Sequence, residues 1–169
     1  YVVALSGEGE LSPVIRRAAS GGHTLAVKAD GTVWSWGWND NGQLGDGGTS
    51  QRTVPAQVSG LTGVVSVAVG YYHSVALKAD GTVWTWGENG DGQLGDGSLT
   101  QRNSPVQVPG LSGIAAVAAG GTHTAALGKD GSVWTWGANA CGQLGDGSRT
   151  KRSSPYKVAG LSGVVAVAA

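Results

Sequence analysis

At 169 residues with a 40% hydrophobic share the chain is long enough to bury one core, and its 11 basic and 11 acidic side chains cancel. Only 13% of residues are charged, against roughly 25% in an average soluble domain, so composition supplies no field to steer nucleic acid or an anionic membrane. The single cysteine, Cys141, excludes a disulfide framework and a cysteine-rich zinc site, and no apolar run approaches the roughly twenty residues of a bilayer-spanning helix. No cofactor, nucleic-acid partner or membrane insertion is expected. A chain that starts at Tyr1 and has no methionine reads as a processed product or a piece of a longer one.

The sequence repeats itself every 50 residues: GTVWSWGWNDNGQLGDG from Gly31, GTVWTWGENGDGQLGDG from Gly81 and GSVWTWGANACGQLGDG from Gly131, each neighbouring pair identical at 13 of 17 positions. In chain order, residues 1–20 align to a shortened copy, a degenerate partial blade. Residues 21–70, 71–120 and 121–169 are three repeats, the last incomplete at its C-terminal end, in one continuous array.

Within the middle copy, Val64 to Val69 is an apolar run and His73 to Leu77 a second strand. Asp80-Gly81 supplies the positive φ of a tight hairpin, and Thr82 to Trp86 follows as a strand rich in aromatic and β-branched residues. Gly87 to Gly97 is too irregular for a helix, and Pro105 to Val108 reads as an edge strand, since proline cannot donate to an interior ladder. Val164 to Ala169 corresponds to Val64 to Val69 and is expected to be a strand. Four short strands per repeat and no helical periodicity predict an all-β propeller of four-stranded antiparallel blades, about three and a half of them. The pairs Trp34/Trp36, Trp84/Trp86 and Trp134/Trp136 are expected to place one ring on each strand face, with one ring of each pair buried between blades.

The string G-x-x-H-[TS]-x-A-[LV]-x-x-D-G-[TS]-V-W-x-W-G-x-N-x-x-G-Q-L-G-D-G resembles the regulator-of-chromosome-condensation repeat, in a bacterial-type tandem form, over about nine tenths of the chain. The resemblance implies seven-bladed propellers, in a family whose members include a nuclear guanine-nucleotide exchange factor, ubiquitin-ligase and ciliary proteins, and secreted bacterial inhibitors of β-lactamase. It therefore bounds the fold more tightly than the function.

Three sets of recurring residues invite chemistry. His23, His73 and His123 could in principle converge on a metal, but equivalent positions on successive blades are spread around a ring, so a structural hydrogen bond is expected. Asp46, Asp96 and Asp146 sit in Gly-Asp-Gly loops that offer one carboxylate each, too few for calcium; turn formation is expected. Arg52, Arg102 and Arg152 each follow one of these aspartates by six residues, which predicts a local ion pair rather than an anion-binding ring. No nucleophile with a base partner is discernible, so the chain is not expected to be an enzyme.

The repeats differ most in the loops, at Trp38/Glu88/Ala138, at Asp40/Gly90/Ala140, at Asn41/Asp91/Cys141 and at Tyr71/Tyr72. Variation on loops held by a rigid frame is either recognition or lack of constraint, and Trp38, Asp40, Asn41, Tyr71, Tyr72, Glu88 and Asp91 are the candidate partner-binding residues. The expected role is a non-catalytic protein-interaction or scaffolding module in a larger or oligomeric protein of bacterial surface or secreted type. Its end blades would be covered by more chain, by a second copy or by head-to-tail association. Self-assembly as the function itself, and regulation of a nucleotide-binding partner, are the alternatives.

Overall fold

The computed structural model describes residues 22–169; the degenerate copy read over residues 1–20 lies outside the described residues. Among the described residues eleven strands, none longer than 6 residues, form three antiparallel sheets in which consecutive strands are neighbours. The first sheet holds β1 (His23–Val27), β2 (Val33–Gly37) and β3 (Arg52–Gln57). The second holds β4 (Val64–Val69), β5 (His73–Lys78), β6 (Val83–Gly87) and β7 (Arg102–Gln107). The third repeats the second with β8 (Ile114–Ala119), β9 (His123–Gly128), β10 (Val133–Gly137) and β11 (Arg152–Lys157). The second and third sheets are the predicted four-stranded propeller blades. Each takes its first strand from the apolar run ahead of the histidine, across the Gly-x-x-His turn.

Local chemistry accounts for these elements. At the tip of the β5–β6 hairpin Gly81 has φ +82°, and the Asp80 carboxylate accepts from both the Thr82 N–H (2.9 Å) and the Thr82 hydroxyl (2.6 Å). The turn is thus closed locally, by its own side chains. Pro105 lies in the outer edge strand β7, in a bulge where Gly87 pairs Arg102 but Thr85 pairs Val106. The bulge turns the Ser153 carbonyl of the equivalent strand β11 toward the preceding blade, where it accepts from Gly97 N–H at 2.9 Å.

Two apolar layers hold the blades together. One packs Leu25 and Val33 of the first sheet against Val64, Val67, Val69, Ala76 and Trp86 of the second; the other packs Val75, Leu77 and Val83 of the second against Ile114, Ala119, Ala126 and Trp136 of the third. Trp86 and Trp136 are buried completely, as one ring of each pair was expected to be. The expectation of one ring on each face is corrected. Residues two apart in a strand share a face, and Trp84 and Trp134 pack against the same layers as Trp86 and Trp136, nearer the hairpin end. In the first sheet Trp34 and Trp36 are both half-buried.

Val164 to Ala169 forms no ladder, against expectation. Its counterparts β4 and β8 pair with the histidine-bearing strands that follow them; for residues 164–169 the described residues offer no such strand. A β conformation is held by a neighbour, not by apolar composition alone.

Candidate functional site

Antiparallel pairing of His73 with Gly87 brings the short turn at residues 70–72 and the long loop after β6 to the same end of the blade. The equivalent loops of the three repeats therefore share one face, opposite the Asp-Gly hairpins.

The long loop is built around a buried asparagine. Asn89 accepts from Leu94 N–H at 3.0 Å, while its amide group donates to the Ser98 and Thr100 carbonyls at 3.1 Å and to Asp96 at 3.2 Å. Asn39 and Asn139 do the same in their repeats. Asp96 carries the next layer: one oxygen accepts from Ser98 and the other from Arg102 Nε at 2.8 Å. Burial pushes the Asp96 carboxyl upward, but hydrogen bonds from Ser98 and Arg102 outweigh it and hold it below its ordinary value. Asp46–Arg52 and Asp146–Arg152 form the same predicted pair. Among the described residues no three of His, Cys, Asp and Glu gather as a metal site.

The histidines join blades. His23 Nε2 lies 2.8 Å from Ser74 Oγ and His73 Nε2 lies 3.0 Å from Thr124 Oγ1, each a hydroxyl of the next repeat. That hydroxyl gives its one proton to the backbone carbonyl of Gln43 or Gln93 at 2.8 Å, so the histidine must be the donor through Nε2–H, leaving Nδ1 as a bare lone pair. The same carbonyls accept from Trp86 and Trp136 Nε1 at 2.8 and 2.9 Å. Histidine, hydroxyl, carbonyl and indole thus form one staple at each blade interface. A proton added at Nδ1 of His73 would be buried without an acceptor, and burial lowers the pKa of His73 to about 3 and that of His23 to about 4.

Of the variable residues, three come together. The Trp38 and Tyr72 rings meet edge to face at 6.2 Å between centroids, and Tyr72 meets Tyr71 likewise at 6.4 Å. Trp38 stands over Gly22, and Tyr71 stands over Gly121 of the next repeat, where an added Cβ would fall 3.1 and 2.6 Å from the ring. Glu88 adjoins this row, since its N–H donates to the Tyr72 carbonyl at 2.9 Å. Asp91 faces Lys151 of the next repeat at 3.6 Å, apart from the rings. Asp40 is exposed, and Asn41 is half-buried with its N–H on Gln43 Oε1.

The model for the regulator of chromosome condensation (RCC1) repeat matches residues 30–77, 80–127 and 130–169. The chain belongs to this family. A second RCC1 repeat model matches residues 64–93 and 114–143. Among curated relatives, the Protein RCC2 homolog of Xenopus laevis is 43% identical over 56 residues, 31% of this chain and 11% of that protein. The ultraviolet-B receptor UVR8 of Arabidopsis thaliana is 45% identical over 51 residues, 30% of this chain and 12% of the relative. Human WBSCR16 has a similar structure, with TM-score 0.74 and 31% identity over 83% of this chain and 38% of that one. Prp20p of Saccharomyces cerevisiae, described with its binding to Gsp1p and histones, gives TM-score 0.71 at 24% identity over 85% of this chain and 38% of its own. The chain thus spans little more than a third of these structures and about a tenth of these relatives.

The RCC1 repeat also holds residues that were not singled out above: Asn39, Asn89 and Asn139, the glutamines Gln43 and Gln93, and the hydroxyls of Ser74 and Thr124. Their signal was present in part. Asparagine and a hydroxyl recur at fixed places in all three copies, and a polar residue held constant while its neighbours vary asks for a buried partner; Gln43 and Gln93 act in the staple through backbone carbonyls, which residue type does not announce.

Proposed function

We propose that this RCC1-repeat propeller is a non-catalytic protein-binding module that engages its partner through the loop face. The observation that carries the reading is the row Trp38–Tyr72–Tyr71. Exposed aromatic rings held in place on a rigid frame are favourable anchors for a protein partner, because little side-chain entropy is lost when they are covered. The row also falls where the repeats diverge, while the asparagine loops and the histidine staples beneath it recur. Prp20p, which binds Gsp1p and histones, and its complex with Kap60 support protein recognition by propellers of this shape.

A surface or secreted setting is the finer part of the proposal, supported by the low charge and by loops rich in Ser, Thr and Gly. The test is capture of a partner from the native host, followed by calorimetry with the purified pair. Trp38→Ala and Tyr72→Ala are expected to weaken binding at least tenfold, and Val54→Ser, on the outer edge strand, to leave it unchanged. Equal binding by all of these would overturn the reading. Nucleotide release from a small GTPase, measured with the same proteins, would show the partner to be a regulated one.

A further inference from the structure

The exposed aromatic rings of the described residues are Trp38, Tyr71 and Tyr72, at 42%, 47% and 40%, and all three stand in the one row. Their planes are inclined at 67° and 61° rather than stacked, so each keeps part of a π face open to a ligand. The hairpin end of the molecule shows what such faces attract in this chain. There the Lys28 ammonium lies 3.7 Å from the Trp34 ring centroid, Lys78 5.7 Å from Trp84 and Lys157 5.9 Å from Trp134. Among the described residues, no cation stands over Trp38, Tyr71 or Tyr72.

The charged residues that flank the row on its own loops are acidic, with Lys151 of the next repeat beyond them. Glu88 adjoins Tyr72 through the backbone, and Asp40 is exposed two residues after Trp38. Asp91 is met by Lys151, whose ammonium also donates to the Gly90 carbonyl at 2.7 Å; that cation is already engaged. Among the described residues neither Glu88 nor Asp40 forms a direct ion pair; one Glu88 oxygen accepts from Gly90 N–H at 2.7 Å, and Lys151 acts on that carboxylate only at longer range. Open π faces with carboxylates on the same loops, those of Glu88 and Asp40 in no direct ion pair, form an electrostatic match for a cation.

We propose that the row Trp38–Tyr72–Tyr71, with the Glu88 carboxylate, receives an arginine or lysine side chain of an extended basic segment in the protein partner. The proposal rests on the reading of the loop face as the binding surface and adds the chemistry of its ligand. The guanidinium or ammonium lies against the Trp38 and Tyr72 faces, and Glu88 supplies the counter-charge.

The test uses the full chain, labelled at tryptophan indole nitrogens, with the Trp38 resonance assigned through Trp38→Phe. Two synthetic probes are titrated: the capped peptide Gly-Arg-Gly-Arg-Gly-Arg-Gly and its twin with citrulline, a neutral isostere, for each arginine. The arginine peptide is expected to shift Trp38 saturably and leave the buried Trp86 and Trp136 in place, with the citrulline twin at least tenfold weaker. Glu88→Gln is expected to weaken the arginine peptide several-fold without moving the other indole signals, which checks that the fold is intact. Equal binding of the two peptides would overturn the cation and leave the loop face standing as a binding surface. A silent Trp38 would overturn the cation too, and the loop-face reading would fall with it only if the captured partner were also indifferent to Trp38→Ala.

Discussion

At the scale of single residues, the staple at each interface makes two measurable demands. Thr124 accepts from His73 and donates to Gln93 in a fully buried site. Thr124→Val keeps the shape and leaves the His73 N–H unpaired, at a cost of about 1–3 kcal/mol, to be read as a lower urea midpoint with unchanged slope. The second demand is on pH. His73 and His23 titrate at about 3 and about 4 in the folded chain, below the roughly 6.5 of an unfolded histidine. The unfolded chain therefore takes up the proton first. The stability these groups contribute is complete above about pH 6.5 and is lost as pH falls toward 3, at most about 1.4 kcal/mol per pH unit for each histidine. Urea midpoints measured from pH 7.5 down to 4.5 are expected to fall, and in His73→Gln to start lower but fall less steeply.

Elements tell a different story, because their rules are local. Asp80-Gly81, the Trp strand and the edge proline were legible in the sequence since each acts within a few residues of itself. The orientation of the tryptophan pairs was misread although strand geometry dictates it. Residues 164–169 were misread for another reason: apolar composition shows what a strand would bury, not what it would pair with. The long loop was legible as irregular, yet its asparagine was not, because four hydrogen bonds from one side chain follow from the loop's path and not from composition. That difference predicts an order of costs. Asn89→Ala leaves the buried Leu94 N–H and loop carbonyls without their partner and is expected to cost roughly 2–4 kcal/mol. Arg102→Ala removes an ion pair whose arginine is 40% exposed and is expected to cost no more than about 1 kcal/mol. Thermal or urea unfolding of the two variants side by side decides it; equal costs would mean that the ion pair holds the loop as firmly as the asparagine does. Glycines in the equivalent long loops of two repeats separate strain from collision. At Gly92, φ is +81° and an added Cβ would meet Ser153 Cα at 2.6 Å, whereas at Gly147, φ is +76° with nothing within 4 Å. Gly147→Ala is expected to cost about 1–2 kcal/mol for the left-handed backbone alone, and Gly92→Ala clearly more.

For the whole molecule, the contacts that matter most were the least legible. His23 reaches Ser74, 51 residues on, and Gln43 reaches Trp86, 43 residues on; no window of sequence contains such pairs, and only the stacking of one blade on the next creates them. Repetition nevertheless has a consequence at this scale. Each staple is confined to one interface, the first formed by His23, Ser74, Gln43 and Trp86 and the second by His73, Thr124, Gln93 and Trp136. They share no residue, although Ser74 follows His73 in β5. If blades behave as rigid units joined by nearest-neighbour contacts, Ser74→Ala and Thr124→Val act on separate interfaces and their costs add to within about 0.5 kcal/mol in the double variant. The competing outcome is a coupling of 1 kcal/mol or more, which would mean that β5 shifts as a whole when either staple is cut. In that case a ligand on Trp38 and Tyr72 would be felt at the second interface as well, because the turn that carries Tyr72 leads directly into His73. Urea unfolding of the wild type, both single variants and the double variant distinguishes additive blades from a coupled strand.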